Sequence, residues 1–265
     1  MHITDRSGYS YLECAKGSPG AGEDLPFQIA AEHRIEVYLN ERPAMRLTCT
    51  PQHLDELVLG RLLTEGLIRR TEEVQHISIC EKGLRARVML EADALGRLTE
   101  NDTEIVNTCC TDNRSFLSDG AENLPTVKPI PWESAWLQGM AEKTRGGQSL
   151  YESTHAVHAC CLFREDRLLC CREDIGRHNA LDKAIGWALI TGTDVTRCML
   201  FTTGRMPADM VTKAIRAGIP LLASKTFPTD QGIDLAKQAR LTLITIRPDR
   251  SILIWNDGLK TERNA

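Results

Sequence analysis

The chain has 265 residues, 42% hydrophobic and 26% charged, the proportions of a soluble globular protein long enough for one large domain or two modest ones. A net charge of −4 and an aromatic content of 5% exclude a generic nucleic-acid binder, which needs a basic face and stacking platforms. No long apolar run and no basic start followed by an apolar stretch occur; neither a membrane span nor a signal peptide is expected, and the expected location is the cytoplasm.

Residues 1–26 read as a flexible arm rich in Gly, Ser and acidic side chains. Residues 27–95 read as a small α+β domain. "RIEVYLN" and "AMRLTCT" alternate as strands do, and "HISIC" with "LRARVML" predicts a hairpin. Between them "TPQHLDELVLGRLLTEGLI" predicts a helix with Thr50 as N-cap and Pro51 at its first position. Residues 96–130 are polar and irregular, a long loop that carries Cys109 and Cys110. Residues 131–265 read as a larger α/β domain with a mixed sheet. It opens with a helix over 132–145 and a hairpin from "STHAVHACCLF" and "RLLCC". An amphipathic helix over 179–190 follows, with Leu181, Ala184, Ile185, Ala188 and Leu189 on one face. Two strand–helix–strand crossovers and the closing strand "RSILIWN" complete it.

In open α/β sheets ligands gather where strands end and helices begin, and helix starts favour anions. Three such mouths are present: "REDIGRHNALDK" with Arg177, His178 and Lys183; "TTGRMPADM" with Gly204 and Arg205; "SKTFPTDQG" with Ser224, Lys225 and Thr229. Together they outline a pocket for phosphate groups, of a nucleotide or a nucleotide-bearing cofactor. The competing assignment for Glu173, Asp174 and Arg177 is a structural ion-pair network. The zinc-deaminase pattern H-x-E with P-C-x-x-C, the H-E-x-x-H motif and the G-x-S-x-G elbow are all absent from the sequence, so no metal site is expected.

Ten cysteines include three adjacent pairs. Across the hairpin Cys161 is expected opposite Cys170 and Cys160 opposite Cys171, as core thiols split between the two sheet faces. Cys109 and Cys110 lie in the polar segment. A disulfide between adjacent residues is strained, so both are expected free, and a free thiolate on a loop is a candidate nucleophile or sulfur carrier.

"REDIGRHNALDKAIG" closely resembles the signature of the formate dehydrogenase accessory sulfurtransferase family, FdhD. The Thr-Pro helix, His158 of "THAVH", the Ser-Gly-Arg-like "TTGR" and the later Pro-Thr loop extend the likeness over about residues 37–255. The resemblance implies a cytoplasmic homodimer whose larger domain is cytidine-deaminase-like without zinc. It implies a sulfur carrier that takes a persulfide from a cysteine desulfurase. The sulfur passes to the molybdenum (or tungsten) of a bis-guanine-dinucleotide pterin, Mo-bis-MGD, bound as client for formate dehydrogenase; a GDP-like nucleotide would act as surrogate ligand. The implied site is Cys109 and Cys110 for transfer, with Arg177, His178, Asn179, Lys183, Gly204, Arg205, Ser224, Arg247 and Arg250 for the cofactor. Cys109 falls on the first cysteine of the family's C-x-x-C pattern; Asp112 stands at the second, and Cys110 is new. A cofactor chaperone without transfer chemistry, or a guanine-nucleotide-binding module, would use the same pocket.

Overall fold

A computed structural model describes residues 9–16, 23–95 and 124–260. Cys109 and Cys110 lie outside the described residues. Strands β1 (Tyr9–Lys16) and β2 (Glu23–Ala30) pair antiparallel. Residues 9–16 and 23–26, read as part of a flexible arm, are therefore strand: pairing satisfies backbone groups across a separation that local composition does not register.

A four-stranded sheet follows, ordered β4-β3-β6-β5. Its strands are β3 (His33–Leu39), β4 (Arg42–Cys49), β5 (Val74–Ile79) and β6 (Arg85–Leu90). Helix α1 (Leu54–Thr64) crosses between the two hairpins, and a short α2 (Ala92–Leu95) closes the unit. Helix α1 starts at Leu54 rather than Pro51, with His53 in the left-handed region at φ 53° and no side-chain cap. Thr50 is drawn elsewhere. Its N–H and hydroxyl donate to the Asp174 carboxylate at 2.9 and 3.1 Å.

The six-stranded sheet is ordered β12-β11-β10-β9-β7-β8. After α3 (Ser134–Arg145) and α4 (Ser149–Thr154) come β7 (His158–Arg164), β8 (Arg167–Asp174) and α5 (Arg177–Thr191). Then follow β9 (Met199–Thr202), α6 (Ala208–Arg216), β10 (Leu221–Ser224), α7 (Asp230–Gln238), β11 (Thr242–Ile246) and β12 (Ile252–Asn256). Strands β9, β10 and β11 are parallel, while β7, β8 and β12 run antiparallel to their neighbours. Helices α5 to α7 cover one face through Leu200, Leu222 and Leu243, and Leu137 and Met140 of α3 cover the other against Phe163 and Phe201. Among the described residues no helix is long and apolar enough to cross a membrane.

The β7–β8 register corrects the cysteine pairing. A bulge between Leu162 and Phe163 shifts the ladder, so Cys161 faces Cys171 while Cys170 faces Leu162. Cys161 and Cys171, with Cα atoms 4.1 Å apart, are joined by a disulfide, whereas Cys160 and Cys170 are buried thiols. Burial pushes both thiols up to about 12. A bulge moves every later side chain by one position, and alternation alone cannot locate it.

The two sheets share one core cluster, joined through α1 and α5. The helices touch backbone to backbone: a Cβ on Gly60 would lie 1.8 Å from the Asp182 carbonyl oxygen, and one on Gly186 1.8 Å from that of Glu56. Helix α5 is therefore buried on a second side, where the sequence pattern showed a single apolar face. On that side charge replaces oil. Asp182 accepts from Thr64 at 2.6 Å and Lys213 at 2.9 Å. Arg61 lies 3.4 Å from Asp182 and 3.1 Å from Glu65, and Lys213 reaches Glu65 at 2.9 Å. Burial opposes the charge on Glu65, but Lys213 and then Arg61 outweigh it and hold the carboxyl down at about 2, against 4.5 ordinarily.

A depressed carboxyl stabilises the fold above its unfolded pKa and stops doing so as pH falls through the folded one. Glu65 thus contributes on the order of 3 kcal/mol at neutral pH, lost between about pH 5 and pH 2. Glu65→Gln is expected to remove that part of the acid limb from a urea-derived stability–pH curve. An unchanged slope over this window would rule out the assignment.

Candidate anion-binding site

Parallel β9, β10 and β11 end at one edge of the large sheet. Antiparallel β7 begins there and β8 ends there, since Cys160 pairs with Thr202 and His158 with Asp174. The α5 start, the β9–α6 loop, the β10–α7 loop and the β11–β12 turn therefore share one rim, the position where open α/β sheets hold ligands.

Below the rim, Asp174 anchors the start of α5. It is fully buried, and its Oδ1 accepts from the Gly176 N–H and the Asn179 amide, both at 2.9 Å. Its Oδ2 takes the two Thr50 donors and lies 2.6 Å from the Lys183 ammonium, itself fully buried. Lys183 also donates to the Thr50 hydroxyl and carbonyl at 2.6 and 3.1 Å, and Asn179 to the Thr48 carbonyl at 2.8 Å. Asn179 and Lys183 thus bind the β4 end to the helix mouth, with their polar atoms turned inward. Glu173 accepts from the Leu150 and Tyr151 N–H groups at 2.9 and 2.8 Å; burial nonetheless keeps its carboxyl above the ordinary value.

A second support holds the β9–α6 loop. Ser224, fully buried, donates its hydroxyl to the Gly204 carbonyl at 2.7 Å, and Thr226 donates to the same oxygen at 2.8 Å. The Gly204 N–H reaches Thr202 Oγ1 at 3.1 Å. Loop and helix meet closely: a Cβ on Gly204 would lie 2.8 Å from Cβ of Arg177. Only a residue without a side chain lets the loop lie against Arg177.

Above these supports the rim is cationic. Arg177 and His178 form the first turn of α5, whose N-cap is Gly176 with no side-chain cap and no acidic residue in that turn. Partial positive charge at the helix start adds to that of Arg177. Asp209 of α6 holds His178 Nε2 at 2.8 Å and approaches Arg177 at 3.9 Å. Burial resists ionisation of Asp209, but His178 chiefly, with Arg177, keeps it down at about 2. The Arg177 Nε is buried with no hydrogen-bond partner among the described residues, a costly state unless a ligand takes it. Arg205 and Lys225 are exposed on the next two loops, Lys225 lying 5.7 Å above the Tyr151 ring. His158, half-buried, completes the group: Arg177, Lys225, Arg205 and His178 all act on its imidazole.

A partly sunken cluster of this kind has the charge and donors to suit an anion with several oxygens. The sequence profile of the FdhD/NarQ family matches residues 30–260, which include every part of this site. The chain belongs to the FdhD/NarQ family. It is 31% identical to the sulfur carrier protein FdhD of Mycolicibacterium paratuberculosis over 96% of this chain and 97% of that one. It is 30% identical to the protein of the same name from Bacillus subtilis, over 82% and 84%. Among solved structures, one described as a formate dehydrogenase accessory protein from Desulfotalea psychrophila superposes with a TM-score of 0.74 at 27% identity, covering 94% of this chain and 96% of that one.

For this FdhD/NarQ chain, then, Arg177, His178 and Arg205 come together at the rim, with Gly204 beneath Arg177 and Ser224 bracing Gly204. Arg247 and Arg250 lie in the turn after β11 on the same edge, both exposed; the Arg250 guanidinium reaches Glu142 of α3 at 3.2 Å. Asn179 and Lys183 serve the mouth from below. Sequence reasoning did not find Asp209, two residues beyond Pro207; only its pairing with His178 distinguishes it. Among the described residues no three His, Cys, Asp or Glu side chains cluster to hold a metal ion.

Proposed function

We propose that this protein is a sulfur carrier for the maturation of formate dehydrogenase, moving persulfide sulfur from a cysteine desulfurase to a bis-guanine-dinucleotide molybdenum or tungsten pterin held at the cationic rim. Support comes from the curated relatives named sulfur carrier protein FdhD and from the structural neighbour described as a formate dehydrogenase accessory protein. The observation that carries the ligand half is the grouping of Arg177, Arg205 and Lys225 around His158, beside a helix start with no side-chain cap. Phosphates of the guanylate arms would take these donors, Arg177 in the forked geometry guanidinium offers. Arg247 and Arg250 extend the basic edge toward a second arm. In this reading the large unit is cytidine-deaminase-like without zinc, and the working form is a cytoplasmic homodimer.

The carrier half belongs to Cys109, with Cys110 beside it. The Cys109 thiolate attacks the outer sulfur of the donor's persulfide; the donor's S–S bond breaks, its thiolate leaves, and a persulfide forms on Cys109 without net oxidation. Delivery to the client would break the Cys109 S–S bond and regenerate the thiolate, the outer sulfur becoming a sulfido ligand by taking two electrons from the reduced metal. Mass spectrometry after incubation with a cysteine desulfurase and cysteine tests this. One added sulfur atom on Cys109 or Cys110 is expected, and none in the Cys109→Ala, Cys110→Ala variant. A protein that binds GDP but never gains sulfur would be a cofactor chaperone instead.

A further inference from the structure

His158 opens β7 opposite Asp174. The next residue, Ala159, is bonded to Thr203 through both its N–H and its carbonyl, each at 2.9 Å, which pins residue 158 beside the loop that carries Arg205. The cations acting on its imidazole come from three segments: Arg177 on α5, Arg205 after β9, and Lys225 after β10. The nearby carboxylates are already engaged. Asp174 holds Lys183, Asp209 holds His178, and Glu173 holds the Leu150 and Tyr151 amides. Burial first, and then those three cations, keep the imidazole below its ordinary pKa, so with the rim empty it is neutral at neutral pH.

We propose that His158 is the proton acceptor of the anion site, binding one proton from solvent when a phosphate-bearing ligand docks among Arg177, Arg205 and Lys225, and releasing it when the ligand leaves. An arriving phosphate screens the positive charge that opposed protonation, and its oxygens give the new N–H an acceptor; both effects favour the imidazolium. No electrons move, and one N–H bond is made per ligand bound. The site therefore prefers polyanions at lower pH, with affinity changing at most about tenfold per pH unit between the empty and occupied titration midpoints. The inference rests on the phosphate-binding reading above.

Calorimetry of GDP binding to the full chain at pH 7, in two buffers of different ionisation heat, tests it. The wild type is expected to take up on the order of 0.2 to 0.5 proton more than His158→Gln. Protonation of the nucleotide itself cancels in that difference. His158→Gln should bind GDP roughly three- to sevenfold more weakly at pH 6, with the gap closing by pH 8. Equal proton uptake in both proteins overturns the proposal while leaving the phosphate site intact; no binding of GDP by the wild type overturns both. Should His158→Gln fail to fold, imidazole NMR of the wild type decides: the His158 midpoint must rise by about one pH unit on adding GDP, and an unmoved midpoint refutes it.

Discussion

Replacing Asp174 by leucine is expected to cost about 3–5 kcal/mol of folding stability, read from urea unfolding at pH 7. The carboxylate is fully buried and serves Lys183, Thr50, Gly176 and Asn179 together. Removing it strands a fully buried ammonium, which keeps only the Thr50 carbonyl and hydroxyl as acceptors. An uncompensated interior charge is far more costly than the pair is favourable. The double variant Asp174→Leu, Lys183→Met should consequently recover much of the loss, although the Thr50 and Gly176 N–H groups still lose their acceptor. The functional consequence follows from the same geometry. Asp174 fixes the Gly176 N–H and the Asn179 amide, so its loss loosens the first turn of α5, where Arg177 and His178 reside. GDP affinity should fall even under conditions where the variant is folded. A cost below about 1 kcal/mol would show that the network is dispensable.

Gly186→Ala is expected to destabilise by roughly 2–4 kcal/mol, whereas Gly139→Ala in α3 is expected to stabilise by about 0.5–1 kcal/mol. Both glycines occupy helix interiors, where alanine is intrinsically favoured by up to about 1 kcal/mol. The difference is what a methyl group meets. At Gly139 the nearest atom beyond the local backbone is the flexible Lys143 side chain at 3.7 Å. At Gly186 it is the Glu56 carbonyl oxygen at 1.8 Å, with the Glu56 carbonyl carbon at 2.5 Å. Backbone cannot swing aside, so α1 must lift from α5. That displacement also stretches the Asp182 contacts to Arg61 and Thr64 across the same interface. Thermal melts of the two variants beside the wild type check the prediction, and a shift of the same sign in both would refute the close helix contact.

Read without coordinates, the chain already shows the order of its main strands and helices, because two-residue alternation and helical periodicity are local signals. "RIEVYLN" and the 199–246 crossovers are of this kind. The three anion-favouring mouths are also legible, since glycine, proline and basic residues at strand–helix junctions are neighbours in sequence, and the resemblance to FdhD rests on those same stretches. What tertiary structure alone decides is which polar side chains face the ligand and which hold the mouth in place. Arg177 and His178 point to the rim while Asn179 and Lys183, inside the same motif, turn inward, because their partners Thr48 and Thr50 lie 131 and 133 residues away. The same holds for Thr50 itself, taken from its expected capping role by an aspartate 124 residues distant, and for the β-bulge that sets Cys161 against Cys171. Periodicity reports that a position is buried; only the folded chain determines against what.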